Sequence, residues 1–170
     1  RLCVINPKDF TMSDAVAFQV TSMLADVVNR GTGELVRGYG VTFPVAGKTG
    51  TTNDFKDAWF AGYSSALVAV VWVGLDQPAS MGRDYYGAKV AGPIWAEFMR
   101  RANATYPAQP FRPPRDVRAV TLCRVSYDKP VSGCPTYTEY FKAGDAEPAR
   151  LCTVHRGGFK QEAQKVVEGV

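Results

Sequence analysis

The sequence predicts an α+β fold in which helices flank an antiparallel sheet, followed by an irregular β-rich appendage at the C-terminus. Three observations predict this fold: an amphipathic segment at residues 13–30, three strand-like segments between residues 43 and 75, and a second helical segment that follows Gly92-Pro93. The chain has 170 residues, 46% of them hydrophobic, which is enough to bury one core.

The first helical segment has the apolar spacing of one helix face. Its apolar residues recur at i, i+4, i+7 and i+8, and they are Val16, Val20, Met23, Leu24, Val27 and Val28. Ser13 is a typical N-cap, and Gly31 with Gly33 is typical of the left-handed residues that end a helix. We therefore expect a helix at residues 13–30 with this apolar face against the core.

Residues 43–52, 58–63 and 67–75 are short segments rich in β-branched and aromatic residues. Polar turn residues separate them, so we expect three consecutive antiparallel strands. The run at residues 67–73 is apolar at every position. Such a run predicts a central strand that is covered on both faces.

The second helical segment follows the third strand. Its apolar residues have helical spacing, and they are Ile94, Trp95, Phe98, Met99 and Ala102. Because proline fits the first turn of a helix, we expect this helix to have Pro93 at its first position. Prolines at positions 107, 110, 113 and 114 then predict a linker at residues 107–116. The linker would separate a domain at residues 1–106 from an appendage at residues 117–170, whose last residues are expected to be disordered.

Charge and hydropathy exclude two classes of partner. The net charge is +4 and the basic residues are scattered, so no nucleic-acid partner is predicted. The longest apolar run, residues 66–73, is far shorter than the roughly 20 residues that a membrane-spanning helix requires. The chain begins at Arg1 without a visible signal peptide, and we interpret it as a piece of a longer protein.

The chain has four cysteines: Cys3, Cys123, Cys134 and Cys152. The last three, with His155, are the ligand types of a structural zinc site, but no CxxC or HxxxH pair brings two ligands together. A disulfide such as Cys134 to Cys152, or simple free thiols, is therefore favoured over zinc, and the pairing of the cysteines stays open. A disulfide would imply an oxidising compartment. We expect no metal and no cofactor.

The string Gly47-Lys48-Thr49-Gly50-Thr51-Thr52 combines an ammonium group and several hydroxyls with little side-chain bulk. A phosphate-binding P-loop would require glycine where Thr42 stands, and a helix after the motif. The favoured interpretation is the Lys-Thr-Gly element of serine acyltransferases that act on penicillins.

Further strings extend this interpretation beyond the motif. The segments Ala46-Gly-Lys-Thr-Gly-Thr-Thr-Asn-Asp, Asp57-Ala-Trp-Phe-Ala-Gly-Tyr and Val71-Trp-Val-Gly-Leu-Asp closely resemble class A penicillin-binding proteins. Other matching features, in chain order, are Arg30-Gly-Thr-Gly33, Gly92-Pro-Ile-Trp95, Cys134-Pro135, Glu139-Tyr140-Phe141 and Cys152 near His155. The resemblance spans nearly the whole chain and matches the C-terminal part of the family's transpeptidase domain, which has a penicillin-binding/β-lactamase-like fold.

The resemblance implies a peptidoglycan DD-transpeptidase, in which a serine attacks the D-alanyl-D-alanine end of a stem peptide and passes the acyl group to an amine. Penicillins acylate the same serine. Lys48 and Thr49 would be catalytic, with Lys48 giving positive potential and helping proton movement. The hydroxyls of Thr49 and Thr51 would bind the substrate carboxylate, Gly50 would permit close approach, and the Thr51 N–H would be an oxyanion-hole donor.

The family's nucleophile lies in a Ser-x-x-Lys element upstream of Lys-Thr-Gly. Here the sole match is Ser126-Tyr-Asp-Lys129, which follows the motif and adjoins Pro130, so we interpret it as a coincidence in a loop. We expect the nucleophile in a missing upstream segment, which makes this chain alone inactive. The alternatives are a β-lactamase or DD-carboxypeptidase of the same superfamily, and a noncatalytic module with the penicillin-binding fold.

The resemblance also implies partners and a location. The partners are peptidoglycan stem peptides, β-lactams and the missing upstream segment, which would carry the membrane anchor. The location is the periplasmic or extracytoplasmic face of the bacterial inner membrane.

Overall fold

The computed structural model describes residues 12–155 of the chain. The chain divides into two compact units, Arg1–Arg112 and Pro113–Val170. The boundary falls within the proline-rich stretch, and the assignment of residues 107–116 as a linker stays a prediction. Cys3 and the last residues of the appendage, for which disorder was predicted, lie outside the described residues.

In the described part of the first unit, residues 12–112, there are three α-helices and a three-stranded sheet. In chain order its elements are α1 (Asp14–Arg30), α2 (Leu35–Gly38), β1 (Ala46–Thr51), a 3-10 turn (Asn53–Phe55), β2 (Asp57–Tyr63), β3 (Val68–Gly74) and α3 (Gly87–Thr105). The strand order is β1-β2-β3, and both pairings are antiparallel. The predicted α+β class and the three consecutive antiparallel strands are confirmed.

Helix α1 begins as predicted but ends differently. The Ser13 hydroxyl accepts a hydrogen bond from the Val16 N–H at 3.4 Å, which confirms the N-cap. Gly31 follows the helix with φ of −122°, so the predicted left-handed stop is wrong. The N–H groups of Gly31 and Gly33 instead both donate to the Val27 carbonyl, at 3.2 and 2.9 Å. A Cβ on Gly31 would lie 3.0 Å from the Val27 Cα, so glycine permits this close approach.

The predicted apolar face of α1 is buried in part. Val28 is fully buried, whereas 40% of Val20 and 62% of Met23 are exposed. The helix contacts β1, and Ala15 in its first turn is also buried. The prediction that the whole apolar face lies against the core is therefore wrong at Val20 and Met23.

The core of the first unit lies between the sheet and α3. Its fully buried members are Val28, Val36, Val41, Val45, Phe60, Ala91, Trp95, Ala96 and Met99. The rings of Phe60 and Trp95 are 4.8 Å apart, and Trp95 Nε1 donates to the Ala69 carbonyl at 3.0 Å. Each large side chain buried here contributes about 1.5–3 kcal/mol, so this contact fixes α3 on the sheet.

Within residues 12–155, strand β3 does not have the predicted central position. Among residues 12–155 it pairs with β2 alone, and β2 is the central strand. The exposed fractions of Val68, Val70 and Trp72 are 76%, 58% and 45%. The alternating residues Ala69 and Val71 pack against the core. Side chains of a strand alternate between the two faces of the sheet. In β3 the side chains on one face therefore pack on the core, and those on the other face are exposed, although all of them are apolar.

Helix α3 begins at Gly87, so Pro93 lies inside the helix and not at its first position. Proline within a helix removes one backbone hydrogen bond, which is why the sequence favoured a later start. The first turns bury Ala88 and Ala91 against the core, and this packing offsets the loss.

The second unit is β-rich and irregular, as predicted. Strands β4 (Val117–Cys123) and β5 (Thr136–Lys142) pair in an antiparallel sheet. Outside it, Lys129 forms a parallel bridge with Leu151. In the described part of the chain, no helix has the length and apolar character needed to cross a membrane.

Candidate active site

Residues 48–51 lie on β1, which among the described residues pairs with β2 alone. The Thr52 N–H donates to the Asp57 carbonyl at 3.0 Å. In an antiparallel pair alternate residues bond to the partner strand, so the N–H groups of Thr49 and Thr51 point away from β2. Strand β1 therefore presents an open backbone edge at the Lys-Thr-Gly motif.

The motif divides its side chains between two faces of the sheet. A Cβ on Gly50 would lie 3.2 Å from the Trp59 Cβ, which assigns Gly50 and Lys48 to the face of Trp59. Lys48 is exposed, and its Nζ donates to the Thr49 carbonyl at 2.8 Å. The Thr49 carbonyl lies on the open edge, so the Lys48 ammonium group reaches that edge. The Cβ of Lys48 and the hydroxyl of Thr49 nevertheless lie on opposite faces of the sheet.

Thr51 is bound to the start of α3. Its Oγ1 accepts a hydrogen bond from the Gly87 N–H at 3.1 Å. A Cβ on Gly87 would lie 2.3 Å from the Trp59 carbonyl oxygen and 2.6 Å from that of Gly50, so glycine alone allows the helix to approach the sheet this closely. A threonine hydroxyl that accepts one bond keeps its proton for donation. Thr51 is therefore a hydrogen-bond donor toward an incoming acceptor.

Thr49 pairs with a residue that lies just beyond α1. Its Oγ1 lies 3.1 Å from the Thr32 Oγ1. Both hydroxyls open on a cavity of about 710 Å³, which is lined by Gly31, Thr32, Glu34, Leu35, Arg37, Gly38, Thr49, Thr51 and Tyr86. The structure thus brings Thr49 and Thr51 together in one cavity, and Lys48 and Gly50 lie outside its lining.

Arg37 lines the cavity, and hydrogen bonds hold its guanidinium in place. Its Nη1 donates to the carbonyls of Val41 and Phe43 at 2.7 and 2.8 Å, and its Nη2 donates to Asn29 Oδ1 at 2.6 Å. Partial burial lowers the pKa of the Arg37 guanidinium from its usual value, but arginine stays charged at neutral pH. Glu34, which is exposed, also lines the cavity and carries the opposite charge.

Sequence reasoning gave a site role to Thr49 and Thr51 alone among the residues that line this cavity, and it missed the polar side chains of Thr32, Arg37 and Tyr86. Thr32 stands in the Arg30-Gly-Thr-Gly33 string, which carried the family resemblance without a role. Thr32 lies between two glycines, so its hydroxyl has no bulky neighbour in the chain. The same combination of a hydroxyl with small neighbours drew attention to the Lys-Thr-Gly motif. Nothing local in the sequence pairs Thr32 with Thr49.

The path of the chain after β1 excludes the phosphate-binding alternative. The strand leads into the short turn Asn53–Phe55 and then into β2, where a P-loop would continue as a helix. The turn is held by Asp57, whose carboxylate accepts from the Thr52 hydroxyl at 3.0 Å and from Trp72 Nε1 at 2.8 Å. Lys48 therefore lies on a strand edge and not at the start of a helix.

Ser126 lies in a turn after β4, as predicted. Its hydroxyl accepts from the Asp128 N–H at 3.3 Å, and the next residue, Tyr127, has φ of 60°. A Ser-x-x-Lys nucleophile requires serine and lysine on one helix face, and this turn does not provide it. The predicted loop position of Ser126 is confirmed, and the expectation that Ser126 is not the nucleophile stays a prediction.

The described cysteines are free thiols, so of the two alternatives that the sequence left open the free thiols are observed and the disulfide between Cys134 and Cys152 is not formed. They lie beside His155, and the four side chains gather in the second unit. The sequence signal that was missed is the pair Cys152-x-x-His155, whose spacing brings two ligands to one turn.

Comparison with known proteins assigns both units. Residues 5–100 match the family model for the penicillin-binding protein transpeptidase domain. Residues 113–157 match the model for the penicillin-binding protein 1A C-terminal domain.

Individual relatives agree with these matches. Penicillin-binding protein 1A of Pseudomonas aeruginosa is 41% identical over 144 residues, covering 84% of this chain and 17% of that protein. The Rickettsia prowazekii protein of the same name is 34% identical over 134 residues, covering 79% and 16%. The crystal structure of penicillin-binding protein 1A from Haemophilus influenzae superposes with a TM-score of 0.73 at 30% identity, covering 82% of this chain and 22% of that one. This chain spans less than a fifth of the length of the two curated relatives. It belongs to the penicillin-binding protein transpeptidase family.

Proposed function

We propose that this chain is the C-terminal part of a peptidoglycan DD-transpeptidase that cross-links stem peptides through a serine acyl-enzyme and is acylated by penicillins. The observation that carries the proposal is the open edge of β1, where two backbone N–H groups and two hydroxyls converge beside a cavity. The nucleophilic serine would come from a segment outside this chain, because Ser126 lies in a turn.

The carboxylate of the substrate would bind to Thr49 and Thr51. The Gly87 N–H already occupies one lone pair of the Thr51 hydroxyl, so its proton is available to a carboxylate oxygen. Arg37 lines the same cavity and favours an anionic group there. Free penicillins carry a carboxylate in the corresponding position, which is why one site would accept both ligands.

The open edge of β1 would also stabilise the transition state. An extended peptide that lies antiparallel to a strand edge accepts hydrogen bonds from the outward N–H groups of that strand. The Thr51 N–H would donate to the oxygen of the scissile carbonyl, where negative charge develops during attack by serine. A fixed donor of this kind typically contributes on the order of a hundred- to a thousandfold in rate. Gly50 would leave room for the ligand beside the strand.

Lys48 would act on the reacting serine. Its exposed ammonium group reaches the open edge and in this chain rests on the Thr49 carbonyl at 2.8 Å. An exposed contact with a neighbouring carbonyl is easily exchanged for another acceptor. In the whole enzyme Lys48 would turn to the serine element, provide positive potential and assist proton transfer.

The partners of the whole protein follow from this function. They would be peptidoglycan stem peptides and β-lactams, met on the periplasmic or extracytoplasmic face of the bacterial inner membrane. An upstream segment of the same protein would provide the serine elements and the membrane anchor. Support comes from the relatives, which are named penicillin-binding protein 1A and are several times longer than this chain.

The test is a transpeptidation assay on the full-length protein that contains this chain, with stem pentapeptides as donor and acceptor. Cross-linked dimers that disappear after preincubation with penicillin would support the proposal. Release of D-alanine without dimers would instead indicate a DD-carboxypeptidase, and rapid turnover of a chromogenic cephalosporin would indicate a β-lactamase. Absence of all three activities would favour a noncatalytic module.

A further inference from the structure

Three sulfur atoms and one ring nitrogen converge in the second unit. They belong to Cys123, Cys134, Cys152 and His155, and all four atoms lie within 4.8 Å of one another. Cys123 ends β4, Cys134 lies in the turn before β5, and the other two come after the bridge at Leu151. The proposed transpeptidase function uses none of these residues.

The distances fit a tetrahedral metal site. His155 Nδ1 lies 3.5, 3.3 and 3.2 Å from the sulfurs of Cys123, Cys134 and Cys152, and the sulfurs of Cys123 and Cys152 are 3.6 Å apart. A tetrahedral zinc ion with bonds of about 2.3 Å to sulfur and about 2.0–2.1 Å to nitrogen requires separations of about 3.6 Å between sulfur and nitrogen and about 3.8 Å between sulfurs. These four separations agree within a few tenths of an ångström, and the two remaining separations, from the Cys134 sulfur to the other sulfurs, are no longer than 4.8 Å.

Neither a disulfide nor ordinary thiol packing accounts for this arrangement. A disulfide requires a sulfur separation of about 2.05 Å, well below that between Cys123 and Cys152. Thiols that are merely packed together need no imidazole nitrogen beside them. Here the same atom, Nδ1 of His155, lies within 3.5 Å of every sulfur.

Backbone hydrogen bonds hold the ligands in position. The Cys123 N–H donates to the Asp128 carbonyl at 2.9 Å, and the Cys152 N–H donates to the Lys129 carbonyl at 2.8 Å. The Val131 N–H donates to the Cys134 sulfur at 3.3 Å. The two backbone bonds fix the positions of the ligands, and the N–H group that donates to the Cys134 sulfur favours the thiolate form that binds a metal.

The second unit also has a small apolar core for a metal to complement. Its buried apolar side chains, within the described residues, are Val117, Leu122, Cys123 and Cys152. Two of these four are members of the cluster itself. Domains with so little core are commonly stabilised by disulfides or metals, and no disulfide is formed among the described cysteines.

We propose that Cys123, Cys134, Cys152 and His155 bind one zinc ion in a structural site. Three thiolates and an imidazole select zinc over magnesium or calcium, which prefer oxygen ligands. Four protein ligands complete the tetrahedron and leave no position for water, so the ion stabilises the fold and takes no part in hydrolysis. The sequence expectation of no metal is replaced by this proposal.

The test measures zinc in the untagged full-length protein by plasma mass spectrometry after extensive dialysis. We expect an equimolar amount of zinc in the wild type and in Thr153→Ala, an exposed control between two ligands. We expect its loss in Cys152→Ser and His155→Ala. His155→Cys should retain zinc, because a fourth thiolate replaces the imidazole. Co²⁺ bound in place of zinc should give the intense visible bands of a tetrahedral thiolate site.

Several outcomes would overturn the proposal. One is a wild-type protein that holds no zinc after incubation with zinc chloride. Another is mass spectrometry that finds a disulfide among the three cysteines in freshly isolated protein. A third is unchanged zinc content in both ligand variants. None of these results depends on penicillin binding, so they leave the transpeptidase proposal intact.

Discussion

The backbone N–H of Gly87 donates to the hydroxyl oxygen of Thr51 at 3.1 Å, across the gap between the start of α3 and the edge of β1. This bond fixes the hydroxyl and leaves its proton to a ligand. The close approach of the two elements also explains why α3 begins with glycine, since any side chain at that position would meet the backbone of Gly50 and Trp59. Two elements that the sequence presents separately thus form one wall of the candidate site.

Replacing Thr51 with valine should slow penicillin acylation of the full-length protein by about ten- to hundredfold, because a hydrogen bond to a charged group contributes about 1.5–3 kcal/mol. Stopped-flow acylation kinetics provide the measurement, and Thr51→Ser is the matched control that keeps the hydroxyl. The loss should vanish with a penicillin methyl ester, which has no carboxylate. An equal loss with acid and ester would contradict the role assigned to the hydroxyl.

Replacing Lys48 with alanine should lower the acylation rate by on the order of a hundredfold or more, through lost positive potential and proton transfer. Folding should be unchanged, since the side chain is exposed and its hydrogen bond is to a neighbouring carbonyl. Lys89→Ala is the control, because Lys89 is also exposed and its ion pair with Asp84 lies on the surface. Acylation of Lys48→Ala at the wild-type rate would remove Lys48 from the site.

Replacing Gly87 with alanine should destabilise the first unit by about 1–3 kcal/mol, the usual cost of forcing atoms into a packed space. The added Cβ would lie 2.3 Å from a backbone oxygen that cannot move aside. Thermal unfolding followed by tryptophan fluorescence measures the effect. Gly38→Ala is the control, since no heavy atom lies within 4 Å of its added Cβ. Equal unfolding temperatures for both variants would contradict the close approach of α3 to β1.

Replacing Arg37 with methionine should destabilise the fold by about 1–3 kcal/mol, because the carbonyls of Val41 and Phe43 lose their donor. Arg83→Met, at an exposed position in the loop before α3, should stay within about 0.5 kcal/mol of the wild type. Urea denaturation compares the two variants. Equal denaturation midpoints for Arg37→Met and the wild type would show that water replaces the guanidinium without cost.

Local patterns predicted the fold class, the N-cap of α1 and the three antiparallel strands, because capping and strand propensity depend on neighbours in the chain. They failed where distant packing decides. Burial of β3 depends on which elements cover each face, and a run of apolar residues cannot specify them. The start of α3 was misplaced because the fit of Gly87 against Trp59 lies outside any local window.

The candidate site divides in the same way. A strand with lysine, small residues and hydroxyls could be found by inspection, and the family resemblance gave its residues their roles. The partners of those residues could not be found, since Thr32 approaches Thr49 and Gly87 approaches Thr51 through tertiary packing. The cysteine and histidine cluster was likewise undervalued, because its members come together from residues spread between positions 123 and 155.

The most direct measurement is labelling with a fluorescent penicillin, run side by side on the full-length protein and on this 170-residue chain. We predict that the full-length protein labels and that the chain alone does not, because the proposed function places the nucleophile outside this chain. Labelling of the short chain, mapped by peptide mass spectrometry to Ser126, would contradict this account of the site. Failure of both proteins to label would contradict the proposed acyl-enzyme and favour a noncatalytic module.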